Sequence, residues 1–262
     1  MSDQPIKFED GAAYERMMGT WSRLAGEIFL DWLGLPRGLR WLDVGCGNGA
    51  FTELIVERCG PAATEGVDPS EGQLTFARKR AGARTAVFKQ GHAMELPYAA
   101  NSFDAATMAL VIFFVPEPGK GVAELARVIA PGGSAAAYAW DIPGGGFPWE
   151  PVIAELREIG HKWPGPPRPD ASRIDRMRSL WTDAGFEDVE TRKITVQKTY
   201  PSLDEFFSDS LMIGGIGSVV NAMPAADVDS LKARLRKKLR PDGQGRITGS
   251  AFANAVKGRL PK

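Results

Sequence analysis

The stretch Leu42-Asp43-Val44-Gly45-Cys46-Gly47-Asn48-Gly49 decides how this chain is read. The apolar residues before it suit a buried strand, and Phe51, Leu54, Ile55 and Val56 after it recur at helical spacing. Between the two, glycines alternate at 45, 47 and 49. Residues without a Cβ let a ligand come close to the backbone N–H groups that gather at a helix N-terminus. A strand, a glycine turn and a helix start therefore make a cradle for a nucleotide-type ligand. The dinucleotide fingerprint places its third glycine three residues after its second. Here the interval is two, and an acid, Asp43, ends the strand. Both features depart from a nicotinamide site.

Working outward, apolar runs of strand length are expected at about 39–44, 63–67, 84–89, 103–110 and 133–140, separated by stretches with helical periodicity. Leu74, Phe76 and Ala77 form one such apolar stripe; Val122, Leu125, Ala126 and Ile129 form another. This alternation is the mark of a parallel sheet covered on both faces. Ala130-Pro131-Gly132-Gly133 reads as the end of a helix and the turn into the next strand. Residues 142–170 are crowded with Pro and Gly and hold one short helix near 151–160. A helix at about 172–184, a strand around Val189 to Thr195, helices at 202–213 and 225–240, and a last strand near 245–257 complete the chain. The organisation expected is a single domain: a cover over 1–38, a cofactor-binding core over 39–141, and insertion, lid helices and last two strands over 142–262.

The 262 residues carry 32 Lys and Arg against 32 Asp and Glu, so no net charge draws a phosphate backbone or an anionic membrane at long range. Nucleic acid and membrane are not expected as partners. Met1 to Asp10 lacks the apolar run of a signal peptide, and no later segment reaches the roughly 20 apolar residues of a membrane helix. Cys46 and Cys59, in a glycine loop and at a helix end, do not make a disulfide framework, and a cytoplasmic setting is expected.

From about Trp41 through Gly133 the chain resembles the class I S-adenosylmethionine-dependent methyltransferases, and among them the small-molecule enzymes of the ubiquinone and menaquinone biosynthesis type. Four motifs carry the resemblance in the family's order. They are the glycine loop, Gly66-Val67-Asp68-Pro69-Ser70, Gly91-His92-Ala93-Met94-Glu95-Leu96-Pro97-Tyr98 with Asn101-Ser102-Phe103-Asp104, and Leu125 through Gly133. The resemblance implies an α/β fold, a doubly wound, mostly parallel seven-stranded sheet with an antiparallel last strand and helical lid insertions. It implies S-adenosylmethionine as cofactor, with Asp43, Gly45, Cys46, Gly47, Asn48 and Gly49 around it and Ala109 at the end of strand four. Asp68, with Pro69, takes the ribose, since a carboxylate offers two acceptor oxygens. His92, Ala93 and Met94 fall at the adenine. Relatives carry an Asp where His92 stands. Two readings stay open there: a neutral imidazole accepting from the adenine amino group, or a solvated loop residue with adenine held by the Ala93 N–H.

The N-terminal segment around Tyr14 to Arg23 resembles the stretch that folds over the cofactor in small-molecule members. Tyr14 is placed for the acceptor or the methionine end of the cofactor, Arg23 for the cofactor carboxylate or for a plain surface role, and Trp21 for packing. Phe113 and Phe114, where relatives carry a His pair, favour an apolar or aromatic acceptor. Asp141 closes strand five as either a base for a substrate hydroxyl or a capping residue. The glycine-rich run 211–220, with Met212 and Ile213, reads as a mobile apolar cover, and the basic run 232–240 as the solvated side of an amphipathic helix. Methyl transfer from a sulfonium needs no metal, and no metal ligand spacing is present. An RNA methyltransferase and a cofactor-binding protein without turnover are the competing readings. The acceptor's identity, the atom methylated and the oligomeric state are not written in the residues.

Overall fold

The computed structural model describes the backbone of residues 11–262 and the side chains from Met18 onward. A long helix, α1 (Gly11–Leu33), precedes β1 (Arg40–Val44). Then follow α2 (Ala50–Cys59), β2 (Ala63–Asp68), α3 (Glu71–Ala77), β3 (Val87–Gln90), β4 (Phe103–Ala109), α4 (Pro118–Val128) and β5 (Ile129–Trp140). The second half holds α5 (Glu150–Glu158), α6 (Ile174–Asp183), β6 (Glu187–Tyr200), α7 (Leu203–Leu211), α8 (Gly214–Asn221), α9 (Ala225–Leu239) and β7 (Ile247–Arg259).

The strands form one seven-stranded sheet in the order β3-β2-β1-β4-β5-β7-β6. The first five are parallel, and β7 runs antiparallel to both β5 and β6. The mostly parallel sheet with an antiparallel last strand is therefore the one expected. β1, flanked by β2 and β4, is buried at every position after Arg40, the acid Asp43 included. Helices cover both faces. Phe29 of α1 lies 4.8 Å from the Tyr138 ring and 6.0 Å from Phe51 of α2, and its full burial contributes about 2 kcal/mol. On the other face Trp181 of α6 packs over Gly258 and donates to the Ala135 carbonyl at 3.0 Å.

Several bounds differ from the sequence reading, β3 starting at Val87 and β6 running on to Tyr200, and two differences change the reading itself. The fifth strand starts at Ile129, ahead of Pro131-Gly132-Gly133, so that turn lies inside the strand. The register with β4 shifts between Phe103 and Ala105, and the Gly132 N–H bonds to the Leu260 and Pro261 carbonyls, so the irregular residues are held as a bulge. The run 211–220 holds a helix, α8, with Ile216 and Val220 buried, because its apolar side chains close over the core.

Candidate active site

The chain runs from β1 outward to β2 and β3, then returns to place β4 on the other side of β1. That reversal opens a crevice beyond the carboxyl ends of β1 and β4, the place where open α/β sheets bind ligands. The glycine loop forms one lip. Its Gly45 and Cys46 amides donate to the Val67 carbonyl at 2.7 and 3.1 Å, and the Gly49 amide donates to the Cys46 carbonyl at 2.9 Å. The three glycines serve different ends. A Cβ on Gly45 would lie 2.5 Å from Val111, and one on Gly49 would lie 3.0 Å from Ala77, so both are required by the protein's own packing. A Cβ on Gly47 would meet nothing nearer than Gln73 Oε1 at 4.0 Å. Only over Gly47 does the loop leave room for a ligand to approach its backbone.

Asp68, at the end of β2, faces the same loop. One carboxylate oxygen accepts from the Gly47 amide and the other from the Ser70 amide, each at 2.9 Å. Burial raises the Asp68 pKa, while those two backbone bonds and the nearby His92 pull it back. Each oxygen keeps a lone pair beyond its backbone bond, which suits a vicinal diol.

Asp43 supports the loop from below. It is fully buried, accepts from the Thr52 hydroxyl at 2.6 Å through Oδ2, and has no partner for Oδ1. Burial pushes its carboxyl up to about 7, against the Thr52 bond and with further help from Asp68. Its unfolded pKa lies near 4, so the fold favours the protonated acid. That stabilisation is complete below about pH 4 and is lost as pH rises to about 7, then levels off. Asp43→Asn keeps an acceptor for Thr52 and never ionises. Its melting temperature relative to the parent protein is expected to climb across that window and stay constant above it. Calorimetric scans of the ligand-free proteins from about pH 4 to about pH 8 check this; a difference independent of pH would contradict it.

The remaining cofactor candidates line the same edge. Pro69 is tied to β3 by Gln90, which donates to its carbonyl at 2.9 Å. Asn48 Oδ1 accepts from the Ala50 amide at the start of α2, and the Cys46 thiol is buried, which pushes its pKa up and leaves its backbone as the part facing the loop. Ala109 ends β4, and Leu110 after it takes a left-handed φ of 61° with its amide on the Tyr138 carbonyl. His92, Ala93 and Met94 fall in a tight turn closed by the Glu95 amide on the His92 carbonyl, with His92 exposed. Glu124 and Arg127 of α4 pin this turn through the Leu96 amide and the Leu96 and Tyr98 carbonyls.

The acceptor candidates divide. Phe113 and Phe114 form a short 3-10 turn after β4, their rings 4.7 Å apart and edge to face, with Phe113 buried. Trp21 is fully buried and donates to the Tyr200 hydroxyl at 2.9 Å, the packing role expected. Asp141 Oδ1 accepts from the Gly144 amide at 2.9 Å, so the carboxylate caps its own turn. Between α7 and α8, Ile213 is buried, whereas Met212 is 41% exposed. Of the two roles left open for Arg23, the contacts favour the surface one. Its guanidinium pairs with Glu27 and with Glu57, each at 3.1 Å, and joins α1 to α2. Arg23→Ala is accordingly expected to leave adenosylhomocysteine affinity within twofold, and a tenfold loss in a calorimetric titration would restore Arg23 to the site. The Tyr14 side chain lies outside the described residues.

Sequence reasoning missed the supporting groups. Arg80 donates to the Asn48 carbonyl at 2.8 Å and pairs with Glu53 at 2.6 Å, bracing the loop from outside. Thr52, Glu124 and Arg127 were not singled out either. Each sits on a helix face whose periodicity reads simply as polar.

The comparisons with known proteins bear on this crevice. The family description "methyltransferase domain" matches residues 42–137, which span β1 through most of β5. The chain is 36% identical over 115 residues to the ubiquinone/menaquinone biosynthesis C-methyltransferase of Roseobacter denitrificans, covering 42% of this chain and 46% of that protein. It is 36% identical over 103 residues to a demethylmenaquinone methyltransferase of Staphylococcus aureus, covering 38% and 43%. The chain thus matches about half the length of these curated relatives. The fold is shared more widely. A Bacillus subtilis protein superposes with a TM-score of 0.61 at 17% identity, over 91% of this chain and 98% of that one. A Haemonchus contortus phosphoethanolamine N-methyltransferase, solved with phosphomonomethylethanolamine and S-adenosylhomocysteine, gives 0.58 at 18% identity, over 95% and 56%. The resemblance expected from the motifs holds. Among the described residues no helix is long and apolar enough to cross a membrane.

Proposed function

We propose that this chain binds S-adenosylmethionine in the crevice and transfers its methyl group to a small, largely apolar or aromatic acceptor. The observation that carries the reading is the open space over Gly47 beside the Asp68 carboxylate, within a domain of methyltransferase type. The ribose would fall to Asp68, the methionine portion to the glycine loop, and the adenine to the turn at His92 to Met94. The bound cofactor supplies an electrophilic methyl on a sulfonium that is already an excellent leaving group.

What remains for the chain is positioning and dryness. A nucleophile held in line gains several kcal/mol of barrier lowering from orientation alone, and exclusion of water removes a competing nucleophile. Phe113 and Phe114 supply apolar surface just beyond the carboxyl end of β4, and Ile213, ahead of α8, is assigned to the cover. The curated relatives are named for quinone biosynthesis and one for a naphthoquinone ring, which agrees with such walls. To test the reading, adenosylhomocysteine binding is measured by calorimetry and methyl transfer against naphthoquinols, phenols, small amines and bulk tRNA. Micromolar product binding with transfer to the ring compounds is the expected result. Transfer to tRNA alone, or preference for a highly charged acceptor, would overturn the acceptor class.

A further inference from the structure

The basic run at 232–240, read from the sequence as a solvated helix face, turns part of its charge inward. On α9 the Arg234 guanidinium donates to Glu155 at 2.5 Å and to Glu158 at 2.8 Å, and Lys238 donates to the second Glu155 oxygen at 3.3 Å. Glu155 is only 6% exposed, so one helix holds both oxygens of a nearly buried carboxylate on α5. The apolar hold on α9 is slight. Of its fifteen residues only Leu231 and Leu235 are buried, and Lys232 adds an exposed pair with Asp204 of α7 at 3.0 Å. Its flanks suit a joint, since Pro224 stands before its first residue and Arg240 after its last has a left-handed φ of 46°, followed by Pro241 and by Gly245 at 79°. α7, by contrast, buries Leu203, Phe206 and Phe207.

α5 and α9 meet beyond the carboxyl edge of the sheet. Trp140, the last residue of β5, pairs with Ala253, which pairs with Ile194; six further β6–β7 pairs, from Thr195–Phe252 to Tyr200–Ile247, run on past it. At about 3.4 Å per residue this ribbon overshoots β5 by roughly 20 Å, and α7, α8 and α9 are all mounted on its far end. α5 belongs to the other insertion. That segment leaves the base of the ribbon, where Phe252 exchanges backbone bonds with Asp141 and Gly146, and returns to the exit of β4, where the Arg168 amide donates to the Phe113 carbonyl at 3.0 Å. The Glu155 cluster thus bridges two segments that both rise from the acceptor edge. An ionic seam suits a joint that opens. Parting an apolar seam exposes surface that water rejects, whereas parting ion pairs returns the charges to water, whose hydration offsets much of the lost attraction.

We infer that Glu155, Arg234 and Lys238 are the latch of a lid: α9 closes over the acceptor end of the crevice through this cluster and swings away to let acceptor and product pass. The inference rests on the functional reading above and adds how its site opens. Salt screens the pairs, so it favours the open form.

The test is hydrogen–deuterium exchange of the full chain, read by mass spectrometry at about 50 mM and about 500 mM sodium chloride. With adenosylhomocysteine saturating, α9 amides are expected to exchange several-fold faster at the higher salt, while those of β1 and α2 hold. Glu155→Gln and, as a second variant, Arg234→Gln should each speed α9 exchange at low salt by about tenfold, the scale of one lost charged hydrogen bond, and shrink its salt dependence. Adding 1,4-naphthoquinone should slow α9 exchange in the parent protein. If α9 ignores both salt and the substitutions, or quickens only together with β1 and α2, the cluster is an ordinary contribution to stability and the latch is overturned. A quinone that binds without slowing α9 would put the lid away from the acceptor and overturn the inference as well. If no ring compound binds or is methylated, the acceptor class of the functional reading falls, and the salt response of α9 still decides the latch on its own.

Discussion

Replacing Asp68 with alanine is expected to weaken adenosylhomocysteine binding by about 2 kcal/mol or more, roughly thirtyfold, as measured by calorimetry. Two things are lost at once. The charged acceptor for the ribose hydroxyls disappears, and the Gly47 and Ser70 amides lose the oxygens that hold the loop beside it. Asp68→Asn separates the two, because it keeps one oxygen and a similar shape but no charge, so it should fall between the parent and Asp68→Ala. The parent protein adds a pH signature. Burial raises the Asp68 pKa, so the ionised, ligand-competent form is complete above that value and is lost as pH falls through it. Affinity should therefore begin to drop at a higher pH than an exposed aspartate would give. An unchanged affinity in Asp68→Ala, with the melting curve intact, would mean that the ribose lies elsewhere.

The sheet was legible because its rules are periodic. Strand-length apolar runs alternating with helical stripes specify a parallel sheet whatever the loops do, and β1, β2 and β4 fall within a residue or two of their expected bounds. The glycine loop was legible for a related reason, since three glycines in five residues have few other uses. The boundary at Pro131-Gly132-Gly133 was misread because local turn chemistry pointed to a loop, while the bonds that hold a bulge come from Leu260 and Pro261, far along the chain. Arg23 shows the same limit at the site. An arginine near a cofactor loop has the right charge for a carboxylate ligand, but Glu27 one turn away and Glu57 on α2 take it first. The sequence names the ligand-facing types; only the fold shows which of them are already engaged.

Gly47→Val is expected to abolish cofactor binding in a protein that still folds, and it does so for a reason that separates it from its neighbouring glycines. At Gly45 or Gly49 an added Cβ runs into Val111 or Ala77, so lost binding there would report a damaged fold. At Gly47 no protein atom stands closer than 4.0 Å to the added carbon, and the cost to the unliganded protein is chiefly backbone strain, since Gly47 has a φ of 52°. A β-branched residue in that region costs about 1–3 kcal/mol, a few degrees in melting temperature for a chain of this size. The valine leaves the Gly47 amide and its bond to Asp68 in place, so the ribose acceptor survives while the space over the loop is filled. Circular dichroism and calorimetry on Gly47→Val and Gly47→Ala then distinguish the causes. Strain is shared by both variants, but side-chain bulk is not, so Gly47→Ala should retain part of the affinity and Gly47→Val none. A folded Gly47→Val protein that bound adenosylhomocysteine normally would remove the glycine loop from the site altogether.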